Sequence, residues 1–154
     1  MRIPRQQLRR PGTVTVEATV VVLALLIIIL GMLDLGLAVF QYHVVSEAAR
    51  QGARLAIVHG QMAPSGWNGG SWGTTTINKS ANTTGTPIVD EIKPLLVGLD
   101  LTQTTIKAEW LDGSNAPENR VRVTVSTTYQ PCVTFIFGNT SINLSASSTM
   151  PIAH

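Results

Sequence analysis

The sequence predicts an α+β protein in which one long N-terminal helix lies over a small antiparallel sheet. Three observations carry that expectation. Residues Ala18 to Leu33 are free of charge and almost all Val, Leu, Ile or Ala. Helical spacing of small and apolar residues then continues to about Val58. The last third instead alternates apolar with polar residues at period two, as half-buried strands do. A chain of 154 residues has room for one modest core and one membrane segment.

The helix is expected from about Val14 to Val58, roughly 65 Å at 1.5 Å per residue. Counted on through Asp34 to Phe40, its apolar stretch exceeds the ~20 residues that cross a bilayer. A cleaved secretory signal is the competing reading, but the apolar region is too long and no small-x-small site closes it. The second half, "QYHVVSEAARQGARLAIVHG", sets Val45, Ala49, Gly52 and Ala56 on one stripe and Glu47, Arg50 and Arg54 on another. These small residues, with Gly31 and Gly36 before them, let a neighbouring element pack close, whether the chain's own domain or another subunit's helix.

Charge fixes the orientation. Arg2, Arg5, Arg9 and Arg10 precede Glu17, the first acid, and no Lys or Arg follows until Arg50. The positive-inside rule keeps the N-terminus in the cytoplasm and exports the rest. Without those four arginines, seven of eleven basic side chains remain against nine acidic ones, net −2. That leaves no basic stripe for a nucleic acid.

The exported remainder, 59–154, opens with a long loop from His59 to Pro87, rich in Gly, Ser, Thr and Asn. Its Trp67 and Trp72 are expected to pin it to the domain. "PIVDEIKPLL" predicts a short helix from Pro87, with Ile88, Ile92 and Leu95 or Leu96 inward and Pro94 limiting its length. Three strands follow. "TIKAEW" turns Ile106, Ala108 and Trp110 inward, and "DGSNAPEN" joins it as a hairpin to "RVRVTVSTTY", which turns in Val121, Val123, Val125 and Tyr129. "SINLSASSTM" places Ile142, Leu144, Ala146 and Met150 on one side. A three-stranded meander with one apolar face needs a cover, and the amphipathic half of the helix supplies it.

Nothing in the sequence points to catalysis, a cofactor, a metal or a small-molecule substrate. Cys132 is the single cysteine, so neither an internal disulfide nor a thiolate metal site can form, and it is expected to be a buried small apolar residue. His43 with Glu47 at i+4 is the one helical pair resembling metal ligands, and two ligands are too few. There is no G-x-S-x-G turn and no phosphate-binding glycine pattern. The N-x-[ST] triplets at Asn78, Asn82, Asn139 and Asn143 are what chance gives in a Ser/Thr-rich chain.

Glu17 stands at the head of the apolar run. A carboxylate there costs about 2.5 to 3.5 kcal/mol if carried to the bilayer centre. At the cytoplasmic interface it costs little and suits the positive end of the helix dipole. Inside an assembly it would need a cation, and a freed α-amino group, with pKa about 7.7 to 8, is one. At about 4 Å and an effective dielectric of about 20, the pair gains roughly 4 kcal/mol. Cutting after Gly12 would make Thr13 residue one and Glu17 residue five.

A basic leader ending in Gly, then four residues, Glu and a hydrophobic helix resembles the type IV prepilin signature. Within that superfamily the stretch from Gly12 to Ala56 is similar to the TadE-like segment of Tad/Flp pilus systems. The matching pieces are Val16-Glu17-Ala18, Gly31 with Asp34 and Gly36, and "EAARQGAR" from Glu47. Ala18 stands where an aromatic often follows the glutamate, and Leu37 where a basic residue often follows the Asp-x-Gly piece. The resemblance implies a pilin-like fold and a minor pilin or pseudopilin role in initiating, capping or decorating a pilus. Residues 1–12 would be a leader cut between Gly12 and Thr13 by a prepilin peptidase. Its partners would be the membrane, other pilins or pseudopilins and the Tad-type machinery. Glu17 would meet a neighbour's Thr13 amine, and Asp34 would be a second intramembrane contact or lie at the outer headgroups. The location implied is the inner membrane, with passage into the fibre open. The alternative is an uncut signal-anchor protein whose exported domain binds a ligand or envelope partner.

Overall fold

The computed structural model of the chain describes residues 11–65, 70–132 and 141–153. The first element is a single helix, α1, Pro11–Val58. After a connection come β1 (Ile77–Ser80), α2 (Pro87–Ile92), a 3-10 turn (Lys93–Leu95), β2 (Thr105–Trp110), β3 (Arg120–Tyr129) and β4 (Ile142–Pro151). The strands form one antiparallel sheet in chain order, β1-β2-β3-β4. The α+β arrangement expected from the sequence is the one observed.

The expected meander has three strands; the sheet has four. β1 lies inside the segment expected to be loop, with Ile77 paired to Ala108 and Ser80 to Thr105. Four residues reading INKS offer too short an alternation to signal a strand, and only β2 supplies the ladder. β2 and β3 follow their alternation, with Ile106, Ala108, Trp110, Val121, Val123, Val125 and Tyr129 buried. β4 turns the expected face inward but only half buries it, and Ile142 is 45% exposed. As the last strand in the order it has a neighbour on one side only.

The amphipathic half of α1 packs across β3 and β4. Val45, Ala48, Ala49, Ala53 and Ala56 meet the inner strand face, and Ile88, Val89, Ile92 and Leu96 close the side. Leu96 is thus the inward residue of the pair, while Leu95 is exposed. The small helix residues bring the backbone close to the sheet. A Cβ on Gly52 would lie 2.6 Å from Ile92 Cδ1 and 2.9 Å from Val123 Cγ1.

α1 and β3 run side by side in opposite directions. Tyr129, the end of β3, touches Asp34, and the Ala153 N–H, just beyond β4, donates to Ile57 O at 3.1 Å. From residue 34 to 57 the helix rises about 34 Å; a ten-residue strand spans nearly as much, about 31 Å. The domain therefore begins at Asp34 and ends at the helix C-terminus.

Candidate functional site

Below Asp34, α1 stands clear of the domain. Apart from the half-buried Ile27 and Gly31, residues 12–33 are exposed. The exposed side chains include Val20, Leu23, Leu26, Ile29 and Leu33, a continuous apolar surface of the kind that marks a membrane or protein contact. This helix is long and apolar enough to cross a membrane. Glu17 is exposed on that column among Val14, Val16, Val20 and Val21. Thr19 Oγ1 donates back to Thr15 O at 2.8 Å, which hides its hydroxyl from an apolar surrounding. Gly12 and Thr13 are exposed on the helix. Arg2, Arg5, Arg9 and Arg10 lie outside the described residues.

The glycines and alanines singled out in the sequence fall into two groups. Ala49, Gly52 and Ala56 are buried against the chain's own sheet and α2. A Cβ on Gly12, Gly31 or Gly36 would meet nothing within 4 Å. Contacts inside this chain therefore account for Gly52 and not for the other three.

Asp34 marks the boundary between the two halves. The residue is buried, 4% exposed, and Tyr129 and Cys132 reach it from 95 or more residues away along the chain. Tyr129 Oη lies 3.0 Å from Asp34 O and 3.1 Å from Oδ1, so its one proton bifurcates between them. The Cys132 backbone N–H donates to the same Oδ1 at 3.0 Å. Burial, and then the neighbouring Asp34, push the Tyr129 hydroxyl from its ordinary 10 up to about 12, so it remains a donor. The structure thus gives Asp34 partners within its own chain, which the sequence did not announce. No local spacing announces this pairing. The usable signal is an inward tyrosine closing β3, whose hydroxyl must find an acceptor once buried.

Cys132 corrects the sequence expectation, for its side chain is exposed. The backbone is what the fold uses there, and orienting its N–H toward Asp34 leaves the thiol outside.

At the opposite end, His59 and Trp72 stack with ring centres 4.2 Å apart and planes 7° from parallel. His59 Nδ1 lies 2.7 Å from Gly70 O, which makes it the donor nitrogen. Asn115 accepts from Trp110 Nε1 at 2.8 Å and donates to His59 O at 3.1 Å, closing the helix end onto the β2–β3 hairpin. Trp72 thus pins the loop as expected, whereas Trp67 lies outside the described residues. His43 is exposed, and Glu47 is engaged with Gln51 and Arg50. No group of three or more metal-ligating side chains occurs among the described residues.

Residues 12–54 match the family model described as TadE-like protein, the stretch that carried the resemblance. No curated protein and no solved structure matches the chain.

Proposed function

We propose that this chain is a membrane-anchored, TadE-like minor pilin or pseudopilin that takes part in assembling a Tad/Flp-type pilus. The observation carrying the proposal is the free apolar column below Asp34. It continues without a break into the helix that holds the domain, and bears one exposed carboxylate, Glu17, five residues after Gly12. The TadE-like match over residues 12–54 supports the same reading.

In this proposal the chain is made as a precursor with its basic leader in the cytoplasm and its sheet domain exported. A prepilin peptidase cuts the bond between Gly12 and Thr13, which is exposed. The new Thr13 amine then becomes the cation for Glu17 of a neighbouring subunit. Gly31 and Gly36, unexplained by contacts within the chain, allow close approach of a neighbouring helix. No step of this role needs a cofactor, a metal or bond chemistry by the chain itself.

The test is the N-terminus of the native protein. Mass spectrometry should find a mature chain beginning at Thr13, and Gly12→Val should retain the leader and migrate more slowly on a gel. A native chain that keeps Met1, or unchanged mobility of the variant, removes the processing step and favours an uncut signal anchor.

A further inference from the structure

The charge-free run from Ala18 to Leu33 is 16 residues long, roughly 24 Å of helix. A bilayer's hydrocarbon core is about 30 Å thick, so a span that leaves Glu17 at the cytoplasmic surface must continue past Asp34. The exposed side of α1 is built for that. Leu35, Leu37, Val39, Phe40 and Tyr42 are all exposed, Leu35 by 62%, and Asp34 is the one charged residue between Glu17 and His43. The Asp34 carboxylate is in turn withdrawn from its surroundings by Tyr129 and the Cys132 N–H.

Asp34 is also where the sheet docks, so whatever depth the helix reaches there, the base of the domain reaches too. We infer that the base of the exported domain, Tyr129, Pro131, Cys132 and Ile142 around Asp34, is seated in the outer headgroup layer of the bilayer. The domain contacts lipid directly and is not held above the surface on a stalk. Ile142, 45% exposed, flanks Asp34 together with Leu35, Ala38 and Pro131, and offers apolar surface at that level. Tyr42, exposed a little higher on the helix, is an aromatic type that settles at a membrane interface, and the exposed Phe40 adds apolar surface near it. The two hydrogen bonds to Oδ1 suit this seat, since they satisfy the carboxylate at the level where headgroups give way to hydrocarbon. The inference rests on the membrane-anchored reading and is independent of leader cleavage and of pilus assembly.

The exposed native thiol makes the depth measurable in the full chain. Bimane is attached to Cys132, and in a Cys132→Ser background to Leu26→Cys in the free helix or Thr75→Cys near the far end of the sheet. Each protein is placed in phosphatidylethanolamine–phosphatidylglycerol vesicles containing lipid with a doxyl quencher near the headgroup end of its acyl chain or near the chain terminus. The expected result is loss of most emission at Cys132 to the shallow quencher, loss at Leu26 to the deep one, and none at Thr75. If Cys132 behaves as Thr75 does while Leu26 is quenched, the helix spans and the seated domain is wrong. If Leu26 is not quenched either, the membrane span itself fails and this inference with it.

Discussion

The phenolic hydroxyl of Tyr129 reaches the Asp34 carboxylate at 3.1 Å and its backbone carbonyl at 3.0 Å, joining the last residue of β3 to the middle of α1. Tyr129→Phe keeps the ring and removes the shared proton, leaving Oδ1 with the Cys132 N–H. We predict a loss of about 1 to 3 kcal/mol, the range for a hydrogen bond to a buried carboxyl group. Denaturant unfolding in detergent, followed by near-ultraviolet dichroism, measures it; stability within error of the native chain would show that the contact holds nothing.

The same pair sets an alkaline limit. A hydroxyl whose pKa is raised by folding, here from 10 to about 12, contributes stability that is intact below pH 10 and disappears as the pH climbs through 12. Melting temperature should therefore decline across that interval, and the decline should be shallower in Tyr129→Phe. Equal slopes for both proteins would place the titration elsewhere.

Gly52 and Gly36 should respond oppositely to the same substitution. Gly52→Ala drives a methyl group against Ile92 and Val123, and overpacking of this kind costs about 1 to 3 kcal/mol. Gly36→Ala meets open space and replaces the poorer helix former, so the isolated chain should keep or slightly gain stability. Thermal unfolding of the two variants side by side decides between them.

Glu17→Gln removes a charge from a side chain that stands clear of the domain. Unfolding of the domain should be unchanged, while the fraction of chain recovered in assembled, detergent-resistant complexes should fall. A variant that assembles as well as the native chain would dismiss the proposed Thr13–Glu17 pair.

Much of this fold is legible in the periodicity of the chain. The alternation of Val121, Val123 and Val125 and the helical stripe of Val45, Ala49, Gly52 and Ala56 both come from one buried face meeting another, and each repeats often enough to be read. β1 does not repeat, since four residues carry barely two inward positions, and its strand character comes from pairing with β2. The Asp34–Tyr129 contact is invisible for a different reason. Its partners are 95 residues apart, and only the nearly equal lengths of β3 and the upper helix bring them level. Cys132 misleads because composition speaks for side chains, whereas the fold uses that residue's N–H.

The antiparallel course of α1 and β3 also decides how the molecule answers a mechanical load. Tension along α1 acts parallel to the β3–β4 ladder, so its rungs, from Arg120–Pro151 to Tyr129–Ile142, are strained together in shear and are not peeled one after another. An unbroken α1 passes that tension from the membrane half to the domain without a yielding joint. In single-molecule pulling from the N-terminal end of the helix and the C-terminus of the chain, the domain should give way in one abrupt step. A gradual ramp of small openings would mean that the load takes another path.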